Sequence, residues 1–291
     1  MNFTVILNQR MKQLLFLIFF CVTTQWLFAQ DTSVKDSKPF ILGRIIEMQS
    51  VVLSEKRTLN IYLPDGYQEQ DSLRYPVIYL LDGSADEDFI HIAGLVQFFN
   101  FPWVDVLPKS IVVGIANIDR RRDLTYPTII EKDKIEFPTA GKSEKFMKFF
   151  ESELQPYIDR NFKTNASKTI IGQSLGGLFA TEVLFKKPYL FNKYIIVSPS
   201  LWWDNESLLA SQPKVLLPGF TDTVSIFIAN GNEGKRMEGD TEQLLRILRS
   251  GHRKNIKINF EKFSKENHAS ILHQAAYNAF IALYKKPANI R

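Results

Sequence analysis

The sequence predicts an α/β fold: a mainly parallel central sheet with helices on both faces. Three observations carry this. Strand-like apolar runs alternate with stretches of helical spacing along most of the chain, the order that a parallel sheet requires. Two of those runs, residues 75–81 and 110–116, are apolar almost throughout, as strands covered on both faces are. Finally, Thr169-Ile170-Ile171 leads through Gly172-Gln173-Ser174-Leu175-Gly176 into a stretch of helical spacing at 178–185. Strand, Gly-x-Ser-x-Gly and helix in that order are the context of a nucleophile elbow.

The chain ends and composition come first. Residues 1–30 read as a secretory signal peptide: Lys12 precedes an apolar run at 14–22, and Ala29-Gln30 offers a small residue before a polar start. The run is short for a span and is interrupted by Thr23, Thr24 and Gln25, so no stable membrane span is expected after cleavage. Residues 31–39 form a polar tail, and 40–291 form one domain, since 291 residues with 45% apolar content suffice for a single large core. The net charge is +5. Removing Arg10 and Lys12 with the leader leaves 34 basic against 31 acidic residues, too even a balance to argue for nucleic acid. Cys21 is the only cysteine, so the mature chain has no disulfide, thiol nucleophile or cysteine metal site. An exported, cysteine-free chain suits a bacterial periplasm or exterior.

In chain order, residues 45–53 and 58–63 read as two strands, with Ser54-Glu55-Lys56-Arg57 as the hairpin connection and Pro64-Asp65-Gly66-Tyr67 as the closing turn. The buried-type strand at 75–81 stops at Asp82-Gly83-Ser84. A helix is expected over 89–99, with His91 as a surface or core residue. The strand at 110–116 opens into a long polar loop, 117–142, carrying Arg120-Arg121-Arg122 beside Asp123. Consecutive arginines there can bind a carboxylate, a phosphate or an anionic chelate, or they can hold the loop by salt bridges. An amphipathic helix over 143–161 leads to the elbow. A strand at 191–200 is followed at once by Trp202 and Trp203, on the edge where open α/β sheets take ligands; the pair either walls an acyl or aromatic pocket or buries the loop. A strand at 223–231, a helix at 241–250, a strand at 256–263 and a helix at 273–285 complete the chain.

The chemistry follows from the elbow. Ser174 needs a sharp turn, so Gly172 and Gly176 supply small neighbours and Gly177 lets helix and strand approach. The Leu175 N–H, opening a helix, can face an oxyanion, and the loop after the 75–81 strand lends the second donor, assigned to Ser84. A serine hydroxyl needs a base, and the base an orienting acid. His268 follows the last strand in a loop and is taken as the base over His252 and His273. Glu233 is the first carboxylate after the preceding strand and is taken as the acid, with Glu238, Asp240, Asp204 and Asp222 as further candidates. No HExxH motif or carboxylate–histidine cluster stands at ligand spacing, so no metal or other cofactor is expected.

Residues 75–83, Gly172–Gly177, Ser198-Pro199-Ser200-Leu201-Trp202-Trp203, Asn230-Gly231-Asn232-Glu233 and Asn267-His268 together resemble the Putative esterase family of α/β-hydrolases. That family includes enterochelin (siderophore) esterases, S-formylglutathione hydrolase, feruloyl esterases and a mycolyltransferase antigen. The Ser-Pro-Ser-x-Trp-Trp segment and Arg120–Thr125 look closest to the siderophore-esterase branch. The resemblance implies Ser174 and His268 by position, an acid at Glu233, and oxyanion amides at Ser84 and Leu175. Gln173 departs from the histidine that many members carry. The expected protein is an exported serine esterase acting through an acyl-enzyme on a small-molecule ester such as a siderophore lactone, with Arg120, Arg122, Trp202 and Trp203 as substrate contacts. A carbohydrate (feruloyl or acetyl) esterase, an acyltransferase and a non-catalytic binding protein on the same fold are the alternatives. The sequence does not give the oligomeric state.

Overall fold

The computed structural model describes residues 37–70 and 72–284, together with Met11 and Lys12. Its centre is an eight-stranded sheet in the order β1-β2-β4-β3-β5-β6-β7-β8. The strands are β1 (Arg44–Ser50), β2 (Glu55–Tyr62), β3 (Tyr75–Leu80), β4 (Ile111–Ile115), β5 (Thr164–Gln173), β6 (Lys193–Val197), β7 (Val224–Asn230) and β8 (Ile256–Lys262). β2 runs antiparallel to both its neighbours, β1 and β4. Every other pair is parallel. The helices, in chain order, are α1 (Phe89–Phe99), α2 (Arg120–Leu124), α3 (Glu131–Glu136), α4 (Ser143–Phe149), α5 (Gln155–Asn161), α6 (Leu175–Lys186), α7 (Lys235–Ser250) and α8 (Ile271–Tyr284).

Both faces of the sheet's centre are covered, which is why β3 and β4 are buried along their whole length, whereas the outer strands β1 and β8 carry exposed polar residues. Val77 and Tyr79 of β3 pack into one core with Phe149 and Leu154, with Phe179 of α6 and with Leu244 of α7. The intervening Ile78 and Leu80 pack into a second core with Ile92 and Val96 of α1 and Ala275 and Phe280 of α8. Alternate side chains of one strand thus serve opposite layers. Leu42–Arg291 is one compact unit and Met1–Ile41 another. The signal-peptide reading of residues 1–30 lies outside the described residues, apart from Met11 and Lys12. No helix among the described residues is long and apolar enough to cross a membrane.

The first hairpin differs from expectation. Its turn is residues 51–54, and the charged stretch read as the turn is the start of β2. Glu153 is the cause of the first part: its carboxylate accepts the Val51 and Val52 N–H groups at 3.0 Å each and the Ser50 hydroxyl at 2.5 Å, so an apolar turn is capped by a distant acid. Glu55 and Arg57 are tolerated inside the strand because they are paired. Arg57, 1% exposed, donates to Glu55 at 2.8 Å and to Asp123 at 2.7 Å. The helix expected over 143–161 is continuous, but a π turn, Phe150–Leu154, joins α4 to α5. α7 begins at Lys235, earlier than expected, behind Gly234 at φ +87°.

Candidate active site

The four loops leaving β5, β6, β7 and β8 meet at the C-terminal edge of the parallel sheet, because those strands are consecutive neighbours. Ser174 occupies the first, between β5 and α6, with φ +59° and ψ −119°. That is a costly backbone for a residue with a Cβ, and it is held by its surroundings. The Ser174 N–H donates to Val197 O at 3.0 Å, and its carbonyl accepts from Leu178 N at 2.9 Å and Ser200 N at 3.0 Å. Glycine at 172 is obligatory: a Cβ there would lie 2.2 Å from Gly176 O. At Gly177 a Cβ would come within 3.0 Å of Pro199 Cα, so the helix start is pressed against the loop after β6.

Glu233 follows β7 and His268 follows β8. Glu233 Oε1 and His268 Nδ1 are 2.8 Å apart, with the glutamate side chain 2% and the histidine side chain 44% exposed. Burial alone would raise the Glu233 carboxyl. The His268 ring, the Ser198 hydroxyl and the Gly231 backbone N–H outweigh it and hold the group below the usual carboxylate range. The two loops are pinned together, since Asn232 N donates to Glu266 O at 2.8 Å and a Cβ on Gly231 would lie 2.8 Å from that same oxygen. The loop carrying His268 is tied to the elbow by Gln173, whose side-chain amide donates to the His268 carbonyl. Among the described residues no hydrogen bond joins Ser174 Oγ to His268. The serine hydroxyl instead meets Ser200 Oγ at 3.2 Å.

The Leu175 N–H stands at the first position of α6, where no intrahelical acceptor is available. Near it, the loop after β3 is built to a fixed shape. Gly83 N donates to Ile115 O at 3.0 Å, its carbonyl accepts from Asn60 Nδ2 at 2.8 Å, and a Cβ on it would lie 2.5 Å from Gly114 Cα. The Gly83 N–H is therefore engaged, and the Ser84 N–H has no backbone acceptor among the described residues. Asp82, at φ +53°, takes Arg120 Nε at 2.6 Å, Arg120 Nη2 at 2.9 Å and Asn117 Nδ2 at 2.7 Å. Arg120 Nη2 also reaches Gln173 O at 3.3 Å. This one guanidinium joins the Ser84 loop to the elbow.

Two of the expected substrate contacts are placed elsewhere. Arg122 gives Nε and Nη2 to Asp123 and Nη1 and Nη2 to Glu55, closing an ion network with buried Arg57. With every donor nitrogen engaged it holds the 117–142 loop against β2. Trp203 is 0% exposed, and its Nε1–H donates to Tyr126 O at 2.8 Å, so it anchors that loop from within the core. Trp202 is half-buried, 6.4 Å from the Phe137 ring. His91 is paired with His273, its Nε2 2.8 Å from Nδ1, which links α1 to α8. Ser200, Gln173 and Asp82 were missed by the sequence reading. The only signal was position: each is within three residues of the end of a parallel strand.

Comparison with known proteins gives this geometry its context. Residues 50–281 match the Esterase family model, described as Putative esterase. The chain belongs to the Esterase family. It is 32% identical to the ferri-bacillibactin esterase BesA of Bacillus subtilis over 238 residues, covering 75% of this chain and 82% of BesA. Its fold matches an IroE-like serine hydrolase from Shewanella oneidensis with a TM-score of 0.76 and 29% identity, covering 83% of this chain and 80% of that one. A BES protein from Bacillus cereus matches with a TM-score of 0.75 and 27% identity, over 86% and 98% of the two chains. With BesA as a relative, this member of the Esterase family is a siderophore-esterase-like hydrolase.

Proposed function

We propose that the protein is an exported serine esterase that hydrolyses siderophore lactones through an acyl-enzyme. The observation that carries the reading is the Glu233–His268 pair, set on loops that are hydrogen-bonded to the strained Ser174 elbow. Ser174 Oγ attacks the ester carbonyl while His268 Nε2 takes its proton, and the Oγ–carbon bond forms as the carbonyl electrons move to oxygen. The Leu175 and Ser84 amides receive that oxyanion. Collapse expels the alcohol, which leaves with the proton from His268, and water repeats the sequence to free the acid. Glu233 keeps Nδ1 protonated and offsets the charge on the imidazolium. Arg120 Nη1, the donor nitrogen of that residue left without an acceptor among the described residues, faces anionic substrate, and Trp202 supplies an aromatic wall.

The lactone substrate rests on similarity to relatives whose names state siderophore hydrolysis. The test is hydrolysis of p-nitrophenyl acetate and butyrate by the wild-type chain and by Ser174→Ala, followed by a catecholate trilactone and a feruloylated sugar read by mass. Activity lost in the variant, with the trilactone opened faster than the sugar ester, supports the reading. Equal activity in the two proteins would discard Ser174, and preference for the sugar ester would discard the lactone. Export is tested by cell fractionation and N-terminal sequencing of the recovered chain; a retained residue 1 would sink it.

A further inference from the structure

Ser200 places a second hydroxyl against the nucleophile. It is 2% exposed, its Oγ is 3.2 Å from Ser174 Oγ, and its backbone N–H donates to Ser174 O at 3.0 Å. The residue cannot drift away. Pro199 ahead of it is packed tightly against Gly177, where an added Cβ would lie 3.0 Å from Pro199 Cα, and Trp203 N donates to Ser200 O at 3.2 Å behind it. Ser174 Oγ is the hydrogen-bond partner of the Ser200 hydroxyl, and a buried O–H that loses its partner carries a large desolvation cost.

We infer that Ser200 is a catalytic residue of the acyl-transfer step, donating its O–H to Ser174 Oγ whenever the bond between that oxygen and the acyl carbon is made or broken. The inference rests on Ser174 being the nucleophile. Either hydroxyl can donate to the other in the resting site. Once His268 has taken the Ser174 proton, Oγ has none to give, so the contact survives only as Ser200 O–H to Oγ. The same holds in deacylation: water adds to the acyl carbon, the Oγ–carbon bond breaks, its electron pair returns to Oγ, and the proton comes back from His268. In both directions Oγ is transiently anionic, and Ser200 is the fixed donor beside it. The backbone amides serve the carbonyl oxygen, so this donor acts on a different atom of the same transition state.

The experiment compares wild type, Ser200→Ala and Ser200→Thr with p-nitrophenyl acetate, and measures covalent labelling by a fluorophosphonate, with the labelled serine identified by peptide mapping. Ser200→Ala should lower kcat roughly 10- to 100-fold, as loss of one hydrogen bond to a developing charge does. KM should stay within about threefold, because the contact is worth more in the transition state than in the ground state. Labelling of Ser174 should slow in parallel, Tm should be unchanged, and Ser200→Thr, which keeps the hydroxyl, should recover part of the rate. A purely structural serine would instead lower Tm and leave kcat per folded molecule intact, which overturns the inference. So would wild-type kcat and labelling in Ser200→Ala with the label on Ser174, and the nucleophile assignment would then stand. A label mapped to Ser200 in the wild type would remove both.

Discussion

Glu233→Gln tests how much of the proposed base's work depends on its partner. Two unit charges about 4 Å apart interact by about 4 kcal/mol at an effective dielectric near 20. The acid is 2% exposed but the His268 ring is 44% exposed, so water screens one end of the pair. Taking half of the unscreened figure leaves about 2 kcal/mol, or about 30-fold in kcat/KM at about 1.4 kcal/mol per tenfold. Steady-state hydrolysis of p-nitrophenyl butyrate at pH 8 reads this directly. The substitution also has a stability signature. The Glu233 carboxyl is held below its unfolded value, so its contribution to folding is present above the unfolded pKa of 4.5 and is lost as pH falls through the lower, folded value. The Tm gap between wild type and Glu233→Gln should therefore be widest near neutral pH and close in acid. If kcat/KM stays within about threefold of wild type, the reasoning fails, since a 1.4 kcal/mol coupling alone gives tenfold. Ser174 and His268 would then act as a pair, and the buried acid would be structural.

The remaining predictions concern the frame around the site. Gly172→Ala should abolish both fluorophosphonate labelling and cooperative melting at the wild-type temperature, because the added Cβ would sit 2.2 Å from Gly176 O; a labelled, wild-type-like protein would contradict the elbow argument. Trp203→Ala should cost about 3–5 kcal/mol by urea melts, as large core truncations do, whereas Trp202→Ala should cost far less and show itself in KM. Asp88 is pushed up to about 6 by burial and by Asp82 and Glu87, against the pull of Arg120. The folded chain thus keeps a proton that the unfolded chain releases at 3.8, and stability falls as pH rises from that value to about 6. Asp88→Asn should therefore raise stability above pH 6 by about 1 kcal/mol after allowing for solvent screening, and leave it unchanged near pH 4.

Much of the layout was legible because two periodicities leave few alternatives. Residues 75–81 had to be buried on both faces, and alternate side chains of β3 do serve opposite cores. The α1 boundaries followed from spacing alone. What failed was local charge. Ser54–Arg57 has turn composition, yet it lies mostly in β2, because Arg57 finds Asp123 across 66 residues and Glu55 finds Arg122 across 67. The true turn, Val51-Val52-Leu53-Ser54, has strand composition, yet it is capped by Glu153 from 101 residues away. In both cases a partner distant in sequence overrides the local signal, and no window of neighbouring residues contains it.

The same limit divides the arginines. Arg120, Arg121 and Arg122 are chemically identical and consecutive, so the sequence, which put Arg120 and Arg122 forward as substrate contacts, could not tell those two apart. On α2 they fan out by about 100° each, and their partners then differ. Arg122 turns to Glu55 and Asp123 under the loop, and Arg121 lies 4.5 Å over the Phe137 ring. Only Arg120 turns to Asp82 and the elbow carbonyl. That bidentate pair is nearly neutral as a unit, so its first consequence is geometric: it sets the distance between the loop carrying the Ser84 amide and the elbow carrying Ser174. Replacing Arg120 removes a cation and loosens Asp82 at φ +53° together. A fall in kcat with neutral esters would report the positioning, and an additional rise in KM confined to anionic esters would report the charge.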